Sequence, residues 1–75
     1  MIVLHIEYCE RWNYEPEFDR VSKIILNMKK EIKIIGNETI PRTGSFEVLL
    51  NNKLVFSKLQ NNNFPTIEDI NSWFY

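Results

Sequence analysis

Apolar positions recur along this chain with two different periods. Ile2, Leu4 and Ile6 alternate with Val3 and His5. Alternation puts successive side chains on opposite faces, so residues 2–7 read as a strand. Val3 on the second face makes it a central strand, covered on both sides. His5 shares the face of Val3 and is expected half-buried and bonded to a neighbour. Between Pro16 and Lys30 the period changes. Phe18, Val21, Ile24, Ile25 and Met28 are three and four residues apart and fall on one face of a helix. Pro16 suits its first turn. Glu15, Glu17 and Asp19 near its start, and Lys29 and Lys30 near its end, complement the helix dipole. Residues 31–35 return to alternation, with Ile32 and Ile34 on one face, and Gly36-Asn37 ends the run. A loop through Pro41 leads to Ser45–Leu50, where Phe46, Val48 and Leu50 oppose Glu47 and Leu49. Asn51-Asn52 is a two-residue hairpin turn, because Asn tolerates positive φ. Leu54–Phe56 is the return strand. Lys58–Asn63 is polar and reads as a loop. Thr66 is a candidate N-cap for a short last helix, with Asp69 completing a capping box. Ile67, Ile70, Trp73 and Phe74 form its apolar face.

The order is β-α-β-β-β-α. A helix between the first two strands makes them parallel, with a right-handed crossover. The last two strands form a hairpin in the same sheet. A four-stranded mixed sheet with two helices in this order is the core of a thioredoxin-like α/β fold. Its ligand-binding end is the carboxyl end of the first strand. There the chain reads Tyr8-Cys9-Glu10-Arg11-Trp12-Asn13-Tyr14.

Composition narrows the function. Seventy-five residues make one domain, residues 1–75. A domain of this size buries only about 60% of its unfolded surface, and with one Cys it has no disulfide to help. Its 44% hydrophobic content and ten aromatic residues must supply the core. A net charge of -1 offers no basic field for nucleic acid or an anionic membrane. No apolar run approaches the roughly 20 residues of a membrane span. The first residues lack the charged and apolar regions of a secretory leader. A lone Cys suits a reducing compartment, so a cytoplasmic location is expected. His5 and Cys9 are too few for a structural metal, and no phosphate loop or Ser/His/Asp set is present.

Three blocks resemble one family in the same order. Ile6-Glu7-Tyr8-Cys9-Glu10-Arg11-Trp12-Asn13-Tyr14-Glu15-Pro16 resembles the opening of the selenoprotein W, or Rdx, family, where a Tyr-Cys pair begins a Cys-x-x-selenocysteine or Cys-x-x-Cys site. Thr43-Gly44-Ser45-Phe46-Glu47-Val48 is similar to the family's Thr-Gly-x-Phe-Glu-Val strand. Lys53-Leu54-Val55-Phe56-Ser57-Lys58, followed by Phe64-Pro65, is similar to a third block. The resemblance implies a thioredoxin-like fold and a redox site at Cys9 and Trp12. Trp12 stands where the family carries selenocysteine or the second Cys, and a Cys-x-x-Trp site closes no disulfide ring. Either the gene encodes Trp and the dithiol chemistry is lost, or Trp12 stands in for a selenocysteine. That residue is specified by UGA, one base from the Trp codon UGG.

A thiol reacts as its thiolate, which positive charge and helix N-termini favour. Arg11 and the following helix favour it at Cys9; Glu7, Glu10 and Glu15 oppose it. The expected activity is thiol-disulfide oxidoreductase-like, with glutathione or a redox protein as partner and no bound cofactor or metal. If position 12 is selenocysteine, it is the attacking group and Cys9 the resolving one. The rival expectation is a thioredoxin-like binding module without redox turnover, using an apolar patch of Tyr8, Trp12, Tyr14 and Phe64. Phe64 itself is expected mostly in the core, and Cys9, at a strand-to-helix junction, is not expected to be deeply buried. The chain is expected to be a monomer or weak homodimer.

Overall fold

A computed structural model describes residues 2–29 and 31–74. Strand β1 covers Ile2–Tyr8, helix α1 Glu15–Met28, β2 Ile32–Ile35, β3 Phe46–Leu50 and β4 Lys53–Ser57. Two short helices follow, α2 at Lys58–Asn61 and α3 at Ile67–Ser72. The sheet order is β2-β1-β3-β4, so β1 is central. It runs parallel to β2, with Leu4 opposite Ile34, and antiparallel to β3, with Ile6 opposite Val48. The four-stranded mixed sheet and its helices form a thioredoxin-like fold.

One sheet face builds the core. Leu4, Ile6, Phe46 and Val48 are buried there against Val21 and Ile25 of α1 and Ile70 and Trp73 at α3. The helical stripe read from spacing is narrower in the fold: Phe18 and Ile24 are half-buried and Met28 is exposed. Lys29 is the C-cap, in extended conformation, and Lys30 lies outside the described residues. Thr66 and Asp69 form the capping box, with side chains bonded to each other's backbone N–H at 3.1 and 2.9 Å. Ile67, expected on the apolar face of α3, is exposed instead. Arg20 on α1 holds the connection into α3 by donating to the Pro65 carbonyl at 2.8 Å. The hairpin turn forms as expected, with Asn51 and Asn52 both at positive φ, 48° and 69°.

Two further sequence expectations need correction. Residues 58–63 are not simply a loop, because α2 occupies 58–61. Its cause is a cap: Ser57 Oγ accepts the Gln60 N–H at 3.3 Å. Nor is β1 covered equally on both faces. Val3, His5 and Glu7 are only half-buried, because the second face carries the Gly36–Arg42 segment rather than a helix layer. His5 is half-buried and bonded as expected, with its Nε2 3.1 Å from Glu38 Oε1.

That second face also holds a polar cluster. Arg42 donates to both oxygens of Glu7, at 3.1 and 2.8 Å, and its backbone N–H adds a third bond at 2.7 Å. Glu47 lies directly across from Glu7, is only 3% exposed, and is 3.9 Å from the same guanidinium. The hydrogen bonds from Arg42 hold the Glu7 carboxyl below its ordinary value of 4.5, against the upward push of burial. A carboxyl whose pKa is lower folded than unfolded stabilises the fold above the unfolded value. That contribution fades as pH falls through the folded value. Stability is therefore expected to drop on acidification below pH 4.5. Urea titrations across that range check it: the Arg42→Ala variant should show a shallower dependence than the parent, and identical slopes would remove Glu7 as the cause.

Candidate functional site

The chain between β1 and α1 is pinned at each residue that matters. Asn37 does this first. Its side-chain Oδ1 accepts the Tyr8 N–H and its Nδ2 donates to the Tyr8 carbonyl, both at 2.9 Å. The amide thus stands in for one more residue of the β1–β2 pairing. Cys9 is held next, its N–H donating to the Ser45 carbonyl at 2.9 Å. Its own carbonyl accepts the Tyr14 N–H at 2.9 Å, and the Asn13 N–H closes on the Glu10 carbonyl at 3.0 Å. Asn13 takes the left-handed conformation, φ 55°, that lets this turn feed into α1.

Residues 9 and 12, three apart in sequence, meet in space. The Trp12 backbone N–H donates to Cys9 Sγ at 3.3 Å. The expectation about cysteine depth is overturned: Cys9 is 1% exposed. The turn folds back over it, which its place at a strand end does not reveal. Trp12 is on the outside, 55% exposed. Its ring lies over Gly44, where an added Cβ would sit 2.9 Å from the indole Cζ3. Gly44 has φ 78°, and the Ser45 N–H bonds back to the Arg42 carbonyl at 3.1 Å. That is the type II turn geometry in which a glycine is required.

An aromatic row runs inward from Trp12. Its ring meets Tyr14 edge-on at 6.1 Å, Tyr14 meets Phe64 at 4.8 Å, and Phe64 meets the buried Phe46 at 5.6 Å. Such pairs contribute roughly 0.5–1.5 kcal/mol each beyond area burial. Lys58 Nζ lies 5.2 Å from the centroids of both Tyr14 and Phe64. Phe64 is half-buried, so it serves both core and site. Tyr8 does not join the row. It stacks on Phe18 at 4.7 Å, beside Gly36, where a Cβ would meet its ring at 3.3 Å. Burial, and then the charges of Glu15, Glu10 and Asp19, push the Tyr8 hydroxyl up. The same three carboxylates give the helix-start side of the site a negative field.

Asn37, Gly44, Ser45 and Lys58 were not singled out as site residues by sequence reasoning. Their roles rest on contacts 29 to 45 or so positions away in the chain, such as the 29-residue separation of Asn37 and Tyr8. Only Gly44, inside the Thr-Gly-x-Phe-Glu-Val block, carries a visible signal. A cavity of about 430 Å³, lined by His5, Glu7, Glu38, Arg42 and Leu49 among others, lies on the second sheet face and includes neither Cys9 nor Trp12. Among the described residues no group of three His, Cys, Asp or Glu could hold a metal ion. No described helix is long and apolar enough to cross a membrane.

Known proteins share this fold. The Vibrio cholerae selenoprotein W-related protein superposes with a TM-score of 0.79 at 23% identity, over 95% of this chain and 89% of that one. A Bordetella parapertussis protein superposes with a TM-score of 0.80 at 15% identity, over 95% and 90%. In sequence, Danio rerio selenoprotein W is 33% identical over 64 residues, 84% of this chain and 74% of that protein. Bos taurus migration and invasion enhancer 1 is 34% identical over 65 residues, which are 87% of this chain. The match spans only 55% of the length of that protein, and 55% of its Mus musculus counterpart. The Rdx family model matches residues 3–72, and the chain, selenoprotein W-like in sequence and in fold, belongs to the Rdx family.

Proposed function

We propose that this chain is a redox protein whose chemistry is thiol (or selenol)–disulfide exchange at positions 9 and 12. The observation that carries the reading is the 3.3 Å bond from the Trp12 N–H to Cys9 Sγ. The two positions of the family's redox pair are in contact, at the junction of β1 and α1. With Trp at position 12, the Cys9 thiolate attacks one sulfur of glutathione disulfide. A Cys9–glutathione disulfide forms, the original S–S bond breaks, glutathione thiolate leaves with the electron pair, and the Cys9 proton passes to solvent. A second glutathione, or a thiol of a partner protein, then attacks the mixed disulfide and restores Cys9. With selenocysteine at position 12, the exposed selenolate attacks first and buried Cys9 resolves the adduct by closing an Se–S bond as the glutathione thiolate leaves. An outer position 12 and an inner position 9 suit that division of labour. The reading places the protein in the reducing cytoplasm.

Cys9→Ser is expected to abolish the glutathione adduct that the parent forms on mild oxidation, read by intact-protein mass spectrometry. No adduct on the parent chain under any mild oxidant sinks the thiol reading. The codon at position 12 separates the two forms of the site: UGA followed by a selenocysteine-insertion RNA structure supports selenocysteine, and plain UGG ends that branch.

The binding-module reading is favoured by one observation, the contrast between Cys9 at 1% and Trp12 at 55% exposure. An indole held outward, backed by Tyr14 and Phe64 with Lys58 over them, is the kind of anchor that protein interfaces use. If Cys9→Ser leaves a partner complex intact while Trp12→Ala dissolves it, binding does not depend on redox turnover.

A further inference from the structure

Trp12 ties down the turn around Cys9 in two ways at once. Its backbone N–H caps the sulfur at 3.3 Å. Its ring rests on Gly44, next to the Ser45 whose carbonyl holds the Cys9 N–H at 2.9 Å. The turn between them is tied by the Glu10–Asn13 and Cys9–Tyr14 bonds. Below this closure the cysteine is buried; above it the indole is half in solvent. When the ring lifts it gives up its rest on Gly44 and its edge contact with Tyr14 but no place in the core cluster, so this turn opens more cheaply than the sheet behind it. Local openings of that kind, not global unfolding, set the reactivity of a buried group.

We infer that Trp12 is an access gate that determines which partners reach Cys9. The significance of the gate rests on the redox reading, but its existence does not. In the closed state the sulfur meets small disulfides only through the spontaneous openings of the turn, which slows them, because they have no surface with which to engage the indole. A protein partner that draws the ring away from Gly44 onto its own apolar surface opens the turn as it docks. Position 12 thereby acts on specificity in this chain: it favours a protein disulfide over free glutathione disulfide.

The gate is tested by alkylation of Cys9 with iodoacetamide on the full folded chain at neutral pH, followed by mass spectrometry. Trp12→Ala is expected to label about tenfold faster than the parent or more, with Trp12→Phe in between. Gly44→Ala should also accelerate labelling, because the new methyl would meet the indole at 2.9 Å. Ile25→Val, a core change far from the turn, controls for general loosening. If it accelerates labelling as much as Trp12→Ala does at matched urea midpoints, the opening is global and the gate is refuted. Equal rates for Trp12→Ala and the parent refute it too. A Trp12→Ala chain that labels quickly yet never takes up glutathione would uphold the gate and end the redox reading instead. Faster adduct formation with glutathione disulfide in Trp12→Ala, with slower exchange against a disulfide-bonded protein substrate, would establish the specificity role. Parallel acceleration with both would overturn it.

Discussion

Phe46→Ala is expected to lower the unfolding free energy by about 3–5 kcal/mol. Phe46 is fully buried on the helix-covered face and receives the edge of Phe64 at 5.6 Å. A domain of 75 residues has only about 4–11 kcal/mol of stability in total, so this one substitution should remove a quarter of it or more. The effect should also reach the site. Phe46 follows Ser45, whose carbonyl holds Cys9, and its ring ends the aromatic row that begins at Trp12. Urea denaturation followed by circular dichroism measures the loss. A change under about 1 kcal/mol would mean that Phe64 and the strands collapse into the vacated space.

Glu47→Ala should cost about 2–3 kcal/mol, mostly through donors left without an acceptor. The Glu47 carboxylate accepts from the Ser57 hydroxyl and from the backbone N–H groups of Phe46 and Leu59, the last two at 3.3 Å. It thereby joins β3, the end of β4 and the first turn of α2. Glu47→Gln keeps one acceptor oxygen for the Phe46 and Leu59 N–H groups, presents to Ser57 an NH2 from which its hydroxyl oxygen can accept, and loses the charge facing Arg42, an exposed partner at 3.9 Å. Its cost should be half that of alanine or less, because exposed ion pairs contribute little. If Gln and Ala are equally damaging, an ionised carboxylate with both oxygens accepting is what holds this corner together. The amide protons of α2 should exchange faster in Glu47→Ala, which separates this account from a diffuse loss of stability.

Glu47 also marks where sequence reading stopped. Alternation placed it correctly on the face opposite Phe46 and Val48, but a glutamate on a strand reads as solvated. Its burial follows from Arg42 and Ser57, which the fold brings in from elsewhere. The long elements were legible because each carries its own periodicity: β1 through Leu4 and Ile6, α1 through Val21 and Ile25. The Asn51-Asn52 turn and the Thr66 cap were legible because their chemistry is local. Helix α2 was not, since a single polar turn has no apolar period, and its cap depends on how β4 ends. At the site, the positions of Cys9 and Trp12 and the approach of Phe64 to Tyr14 could be read from element order. The depth of Cys9 could not, because it depends on a turn folding back and on an indole meeting a glycine some thirty residues later in the chain.

The left-handed positions of this chain have a further consequence. Among the described residues, and apart from Gly44, they fall on Asn13, Asn51, Asn52 and Asn62. Glycine would adopt these angles with less strain, but it would leave the denatured chain freer at each one. Asparagine narrows that ensemble, so folding surrenders less backbone entropy at these turns. Exchanging Asn13 for glycine would therefore relax the native turn over Cys9 while enlarging the disorder it must fold from. For a domain this small, the choice of residue at a bend acts on the state that is never seen in the fold.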